Sequence, residues 1–253
     1  MACCRPFLIK NPNDKAIKWY EYIEVPCGWC LNCRVDKRNF LEDSCKHYFE
    51  KVKGVGDFCL LTYNDFQNTP NLIESSVDGK LRYTLRYKDF QDFMKRLRIY
   101  LDRNNLYNGT TIRRDFKYIV VGEYGHCSKS GLNRNHFHVL FLGLDYTAMR
   151  LIIHKIWRNG YVYNRPIKSG AFRYVLKYMD KQIVGDEAVQ LYDQHGIERP
   201  RHYTSKGLAT EWLLSQVEFL RTHNGCYKTG REGKLRPVNT YWKNKLQLRS
   251  SSD

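Results

Sequence analysis

The chain has 253 residues and a formal net charge of +16, from 42 lysine and arginine residues against 26 aspartate and glutamate residues. A field of this sign, with 19 tyrosines and 12 phenylalanines among the basic side chains, favours a nucleic-acid partner over an acidic membrane surface. No apolar run reaches the roughly 18 residues of a membrane span, and residues 1–10 lack a secretory apolar segment, so we expect a cytosolic protein with no membrane partner.

A cysteine cluster lies near the start of the chain. Nine cysteines, an odd number, favour reduced thiols or a bound metal over a disulfide framework. Cys27, Cys30 and Cys33 have the spacing of metal ligands. A fourth thiol is available from Cys3, which we take first, or from Cys4 or Cys45. Zinc pinning the N-terminal segment to the first helix is one interpretation and plain reduced thiols are the other, with an iron-sulfur centre less favoured than either.

The first half of the chain predicts a long helix, a buried strand and an amphipathic helix. Residues 31–53 have helical periodicity, residues 58–63 have the pattern of a short buried strand, and residues 81–86 are a further strand candidate. Residues 88–102 then form an amphipathic helix. Its basic rim, which we expect to lie along phosphates, consists of Lys95, Arg96 and Arg98.

The second half predicts a hairpin, a helix, a strand and a last core helix. Strands at 117–124 and 136–142 flank a polar loop and form a long-looped hairpin. Asp145 is placed to cap the helix that follows, and a strand at 161–164 comes next. A helix is then predicted from about residue 170 to residue 182.

This order of elements predicts an α+β fold. We expect a split β-α-β sandwich of ferredoxin or RNA-recognition-motif type, with a mostly antiparallel sheet, helices on one side and the other face left for a ligand. The predicted divisions are a cysteine-containing segment with the first helix (1–53), a core (54–183) and a basic C-terminal extension (184–253). Within the extension only Thr210 to Thr222 has a convincing helical pattern, and we expect the extension to wrap nucleic acid or the core.

A metal site is predicted where the hairpin strands meet. His136 and His138 project from the same face of a strand, about 6–7 Å apart, as two ligands of one ion should. Glu123 lies on the neighbouring strand and supplies a third, oxygen ligand. Two imidazoles and one carboxylate with open positions favour Mg²⁺ or Mn²⁺ bridging to a phosphate oxygen. The alternative is a hydrogen-bonded pair of core histidines, and His126 is a weaker candidate ligand.

A second motif places two tyrosines and two lysines on one face of the last core helix. The polar arc consists of Tyr174, Lys177, Tyr178 and Lys181, and the apolar arc of Phe172, Val175, Leu176 and Met179. Tyrosines four residues apart stand one helical turn apart and can reach the same target. A phenol has a pKa near 10, so the lysines are expected to favour the phenolate and to neutralise charge on a phosphate. The alternative is a binding face of stacking rings and phosphate-contacting lysines.

These residues resemble the His-hydrophobe-His (HUH) tyrosine endonucleases that start rolling-circle replication, and most of all the replication initiators of gokushovirus-type microviruses. The resemblance covers most of the chain. It is carried by Met1-Ala-Cys-Cys, Val25-Pro-Cys-Gly-Trp-Cys-Leu-Asn-Cys-Arg34, Leu61-Thr-Tyr-Asn-Asp65, Phe90-Gln-Asp-Phe-Met-Lys-Arg-Leu97, Gly122-Glu-Tyr-Gly125, His136-Phe-His138 and Tyr174-Val-Leu-Lys-Tyr178. Tyr203-Thr-Ser-Lys-Gly-Leu-Ala departs from the Pro-Gly-containing stretch typical of relatives.

The resemblance implies an HUH-type fold and a metal-dependent nick in one strand of phage origin DNA. The nick would leave a 5′-phosphotyrosyl link to the protein and a free 3′-OH that primes the host polymerase. His136 and His138 match the metal histidines, and Tyr174 and Tyr178 match the paired nucleophiles. The expected substrate is single-stranded or locally unpaired origin DNA in the cytoplasm of the bacterial host. A host helicase is an expected partner, because the sequence contains no Gly-x-x-x-x-Gly-Lys-[Ser/Thr] phosphate loop.

Two other classes share parts of this pattern. A plasmid initiator, relaxase or single-strand transposase would use the same catalytic layout, and the tyrosine pair and cysteine-rich start favour the phage type over these. A catalytically silent nucleic-acid-binding protein would bind origin DNA with steep salt dependence and leave it intact. Formation of a covalent adduct with DNA separates the enzymes from the binding protein.

Overall fold

The computed structural model describes residues 3–10, 22–64, 71–108, 111–125, 134–168, 170–229 and 233–246. The helices in these ranges are α1 (Leu31–Lys51), α2 (Tyr87–Arg103), α3 (Tyr146–Ile156), α4 (Ala171–Leu176), α5 (Asp186–Leu191), α6 (Thr210–Ser215), α7 (Val217–Thr222) and α8 (Thr240–Lys245). The strands are β1 (Phe7–Lys10), β2 (Tyr22–Val25), β3 (Gly56–Tyr63), β4 (Leu72–Glu74), β5 (Leu81–Tyr83), β6 (Lys117–Glu123), β7 (His136–Leu142), β8 (Gly160–Pro166), β9 (His202–Thr204), β10 (Cys226–Lys228) and β11 (Leu235–Pro237). None of the helices described here has both the length and the apolarity required to cross a bilayer.

A five-stranded sheet forms the centre of the molecule. Its strand order is β8-β3-β7-β6-β9, and every neighbouring pair is antiparallel. The chain order β3-α2-β6-β7-α3-β8 gives two interleaved β-α-β units, which is the arrangement of a split β-α-β sandwich. The α+β class and the antiparallel sheet predicted from the sequence are therefore confirmed.

Helices cover both faces of this sheet, which corrects the expectation of helices on one side only. Because successive strand residues point to opposite faces, β3 sends Cys59 and Leu61 toward α2 and α3, and Phe58 toward α1 and α4. The second face is covered because α1 and α4 also carry apolar residues, among them Tyr48 and Val175. The same face carries the side chains of the predicted metal ligands, so the tyrosine helix and the histidines share one side of the sheet.

Three predicted elements differ from the observed ones. The helix expected from about residue 170 to 182 is shorter, because α4 ends at Leu176 and continues as a 3-10 turn over Lys177–Met179. The strand expected at 81–86 is formed only as β5, which pairs with β4 outside the main sheet. The helical stretch from Thr210 to Thr222 divides at Gln216 into α6 and α7.

The C-terminal segment packs against the core. β9 adds the fifth strand by pairing with β6. A third apolar cluster joins Phe40 of α1 to Trp212, Tyr227 and Trp242. The Tyr227 hydroxyl also donates to the Asp43 carboxylate of α1 at 3.2 Å. Of the two roles expected for this segment, contact with the core is the one these residues display.

Asp57 of β3 is a buried carboxyl whose titration is expected to make stability depend on pH. The Asn164 side-chain amide donates to its Oδ2 at 3.0 Å, and burial raises the pKa of Asp57 from 3.8 to about 7. A pKa raised by folding means that the stabilising contribution is complete below pH 3.8 and is lost as the pH rises through 7. Between pH 5 and pH 8, the free energy of unfolding should therefore fall on the order of 2–3 kcal/mol more for wild type than for Asp57→Asn.

Urea denaturation at the two pH values measures this difference. Exposed Asp186→Asn is the matched control and should follow wild type. Equal pH dependence in wild type and Asp57→Asn would contradict the prediction.

Candidate metal centre and tyrosine pair

Three side chains of β6 and β7 converge on one point. Glu123 and His136 are cross-strand partners, and His138 lies two residues along the same face of β7. Glu123 Oε2 is 3.2 Å from His136 Nε2 and 2.9 Å from His138 Nε2, and the two Nε2 atoms are 3.2 Å apart. The structure thus brings together the three residues predicted as metal ligands.

These separations fit a single small divalent cation. Ligand atoms about 2.1 Å from an ion, at adjacent corners of an octahedron, lie about 3 Å apart. The three donor atoms can therefore occupy one face of an octahedron and leave its opposite face for water or a substrate oxygen. His136 Nδ1 lies 2.8 Å from the backbone oxygen of Arg134, so the ring donates its proton there and keeps the Nε2 lone pair for a metal.

The electrostatics of the cluster also suit a cation. Burial alone would raise the pKa of Glu123, but hydrogen bonds and charge interactions with His136 and His138 outweigh burial and lower that pKa to about 2. Burial lowers the pKa of His138 and keeps its ring neutral at neutral pH. An ionised carboxylate beside a neutral imidazole is the protonation state that metal binding requires.

Tyr174 and Tyr178 lie against this cluster. The ring of Tyr178 stacks on His138 with 4.2 Å between ring centroids and an interplanar angle of 14°. Tyr174 meets the same imidazole edge-on at 5.8 Å, and the Tyr178 hydroxyl donates to the Tyr174 oxygen at 3.0 Å. As predicted, the apolar arc of this segment is buried, while Tyr174 is 38% exposed. Both phenols therefore face the same region beside the imidazoles.

Lys177 and Lys181 place positive charge next to the phenols. Lys177 Nζ lies 4.3 Å from the ring centroid of Tyr174 and 5.2 Å from that of Tyr178. Lys181 Nζ lies 4.9 Å from the Tyr178 centroid and 3.9 Å from Glu123 Oε1. Burial, the hydrogen bond to Tyr174 and the negative charge of Glu123 nevertheless raise the pKa of Tyr178. The lysines alone therefore do not make this phenol more acidic, and a cation on Glu123 would remove one of the opposing contributions.

A family model for replication-associated proteins of the ORF2 type matches residues 58–183. Through these residues the chain belongs to that family. The matched stretch, called the replication-associated region below, begins in β3 and contains Glu123, both histidines and both tyrosines. This membership is consistent with an initiator of rolling-circle replication. No curated protein and no solved structure matches the chain.

Two arginines of α1, which the sequence analysis missed, hold the end of the tyrosine segment of the replication-associated region. Arg34 Nη1 donates to the backbone oxygens of Asp180 and Gln182, at 3.0 and 2.6 Å. Arg38 forms an ion pair with the Asp180 carboxylate. Their spacing of four residues places them on one helix face, which was the available signal. Their targets lie far away in the chain, so the pattern could not reveal what they bind.

Exposed aromatic rings lie on the sheet beside the imidazoles, and the sequence analysis missed them as well. Tyr161 and Tyr163 of β8 are each 55% exposed. Tyr163 pairs with Leu60 and Leu60 pairs with His138, so these rings share the face of the candidate metal ligands. The Arg134 guanidinium lies 5.0 Å from the Tyr161 centroid. The available signal was the alternation of tyrosine, tyrosine and arginine along 161–165.

The four cysteines taken as ligands converge too. The sulfur atoms of Cys3, Cys27, Cys30 and Cys33 all lie within 4.8 Å of one another. Cys45 is fully buried on the core face of α1 and is therefore unsuited to be the fourth ligand. His126, the weaker candidate for the other site, lies outside the described residues.

Proposed function

We propose that this protein is a replication initiator that nicks one strand of phage origin DNA by metal-dependent tyrosine transesterification, as an HUH-type endonuclease and ligase. The observation that carries the proposal is the stacking of Tyr178 on His138, which puts paired phenols beside a cation site. A cation site alone, or stacking tyrosines alone, would also suit a binding protein. Their contact within a replication-associated region supports phosphodiester chemistry.

Each group at the site has a role in this reaction. A Mg²⁺ or Mn²⁺ ion held by Glu123, His136 and His138 would polarise and orient the scissile phosphate. A tyrosine loses its phenolic proton, and its oxygen forms a bond to phosphorus while the bond from phosphorus to the 3′-oxygen breaks. The departing 3′-oxygen takes up a proton and becomes the free 3′-OH. Lys177 and Lys181 stabilise the negative charge that develops on the phosphate.

The reaction conserves a phosphodiester bond, so it requires no nucleotide and can run backwards as ligation. The two tyrosine hydroxyls are 3.0 Å apart, which would let one carry the 5′ end while the other attacks a new junction. The substrate is single-stranded or locally unpaired origin DNA in the cytoplasm of the bacterial host, because a paired strand cannot align with the phenol. A host helicase would open the duplex, and a host DNA polymerase would extend the 3′-OH.

Capture of a covalent adduct tests the proposal. The purified chain is incubated with Mn²⁺ and a random-sequence single-stranded DNA library labelled at the 3′ end, because the 5′ phosphate of the retained piece would join tyrosine. We expect an SDS-resistant labelled protein band that requires Mn²⁺ or Mg²⁺ and disappears with EDTA. Sequencing of the captured DNA should reveal one preferred junction. Tight DNA binding without an adduct under any divalent cation would overturn the enzyme and favour the silent binding protein.

Tyr161 and Tyr163 are expected to stack bases of the bound strand. Stacking of a base on an aromatic ring contributes about 1–3 kcal/mol, so the double change Tyr161→Ala, Tyr163→Ala should weaken binding of oligo(dT) roughly 10- to 100-fold or more. Fluorescence anisotropy at one fixed salt concentration measures the affinity. Tyr241→Ala, at a tyrosine that is 60% exposed and far along the chain, is the control and should bind like wild type. Unchanged affinity in the double variant would place the strand elsewhere.

A further inference from the structure

The N-terminal cysteine cluster lies outside both the candidate cation site and the replication-associated region. We propose that Cys3, Cys27, Cys30 and Cys33 bind one structural zinc ion as thiolates, and that this ion fixes the start of α1, from which Arg34 and Arg38 hold the tyrosine segment. The zinc site goes beyond the proposed nicking reaction and does not depend on it.

The sulfur positions match a single tetrahedral ion. Zinc-sulfur bonds of about 2.3 Å at tetrahedral angles place neighbouring sulfurs about 3.8 Å apart. Cys3 Sγ and Cys30 Sγ are 3.9 Å apart, and all four sulfurs lie within 4.8 Å. An iron-sulfur cluster distributes its thiolates over several irons and would hold them farther apart than this. The geometry therefore favours one ion at the centre of the cluster.

Backbone groups around the cluster are oriented to support thiolates. The backbone N–H of Cys27 donates to Cys3 Sγ at 3.3 Å, and that of Cys30 donates to Cys27 Sγ at 3.3 Å. The N–H of Arg5 also donates to Cys3 Sγ, at 3.4 Å. Cys30 is the N-cap residue of α1, where the helix dipole favours negative charge. Such donors neutralise part of the charge of a tetrathiolate site.

The hairpin β1-β2 also requires an attachment other than a hydrophobic core. All four residues of β1 are exposed, including Leu8 at 69%, and Tyr22 of β2 is 55% exposed. Cys3 precedes β1 and Cys27 follows β2, at the end of the hairpin where Phe7 pairs with Val25. A segment this small with exposed apolar side chains is typically held by a metal or a disulfide. The ligand cysteines are placed at the end of the hairpin that faces α1.

The same ion would position the tyrosine segment. Cys30 and Cys33 lie at the N-cap and in the first turn of α1, and Arg34 is the next residue. Arg34 and Arg38 bind Asp180 and the chain just beyond it, close after Tyr178. Fixing the first turn of α1 therefore fixes the end of the segment that carries the phenols.

Metal analysis of the full chain tests the zinc site directly. After dialysis against EDTA, we expect wild type to retain one zinc ion per chain by mass spectrometry of the metal content. Cys30→Ser combined with Cys33→Ser should lose it. Cys226→Ser, at a partly buried cysteine outside the cluster, and the double change Glu123→Ala, His138→Ala should both keep it. Titration of wild type with Co²⁺ should give the intense visible bands of a tetrahedral thiolate site, which guards against a variant that fails to fold.

Several outcomes would overturn the site. These are wild type without zinc and without thiolate bands from Co²⁺, iron in place of zinc, or fewer than nine free thiols after denaturation, which would indicate a disulfide. Hydrogen exchange tests the positioning role without relying on activity. Removing zinc from wild type should speed exchange in peptides covering 170–183, and unchanged exchange there would refute the link to the tyrosine segment. Failure of nicking would leave the zinc content untouched, so the two proposals fail separately.

Discussion

The double change Tyr174→Phe, Tyr178→Phe is expected to abolish the covalent adduct with single-stranded DNA, a loss of at least about 10³-fold in the rate of adduct formation. Each single change should leave an adduct, because the remaining hydroxyl faces the same region beside His138. The measurement is a time course of SDS-resistant complex at saturating Mn²⁺, with the labelled junction oligonucleotide recovered from the library.

Because phenylalanine keeps both rings, the stack on His138 should survive in the double variant. Oligo(dT) affinity and Mn²⁺ affinity serve as controls and should equal those of wild type. An adduct in the double variant would place the nucleophile elsewhere. Complete loss in one single variant would mean that a single tyrosine acts, and the paired interpretation would be wrong.

Removing the carboxylate of the candidate cation site should have a comparable effect. Glu123→Gln keeps the shape of the side chain but removes the negative charge that lies 2.9 Å from His138 Nε2. Loss of a directly coordinating anion should cost several kcal/mol of transition-state stabilisation, so we expect adduct formation to slow by about 10³-fold and Mn²⁺ binding to weaken strongly. Titration with Mn²⁺ followed by electron paramagnetic resonance reports the binding.

Glu187→Gln, at an exposed position on α5, removes the same charge elsewhere and should behave like wild type. Raising the Mn²⁺ concentration should partly restore Glu123→Gln if the defect is metal affinity. Wild-type rates in Glu123→Gln at low Mn²⁺ would remove this residue from the site.

Local patterns predicted most of the sheet and its convergent side chains. The alternation in β6 and β7 fixes which residues share a face, so the meeting of Glu123 with His136 and His138 followed from strand period and hairpin pairing. The helical spacing of Tyr174 and Tyr178 likewise predicted two phenols on one side. Such short-range periodicities are set by the backbone and need no knowledge of tertiary contacts.

Long-range contacts were outside the reach of those patterns. Nothing in the spacing of Arg34 and Arg38 indicates Asp180, which is 142 residues beyond Arg38. The end of α4 at Leu176 also has a tertiary setting, because those arginines bind the chain just after the 3-10 turn. The covering of the second sheet face by α1 was missed because its apolar residues predict burial without saying against which surface.

The pairing of β9 with β6 restricts how the protein can be shortened. A recombinant fragment cut at residue 183, where the family match stops, would leave β6 with a bare hydrogen-bonding edge. It would also strip Trp212 and its neighbours from Phe40. Such a truncated version would expose a template for strand addition and a sticky patch on α1, so self-association would follow. Residues beyond the matched stretch thus act as its built-in edge guard.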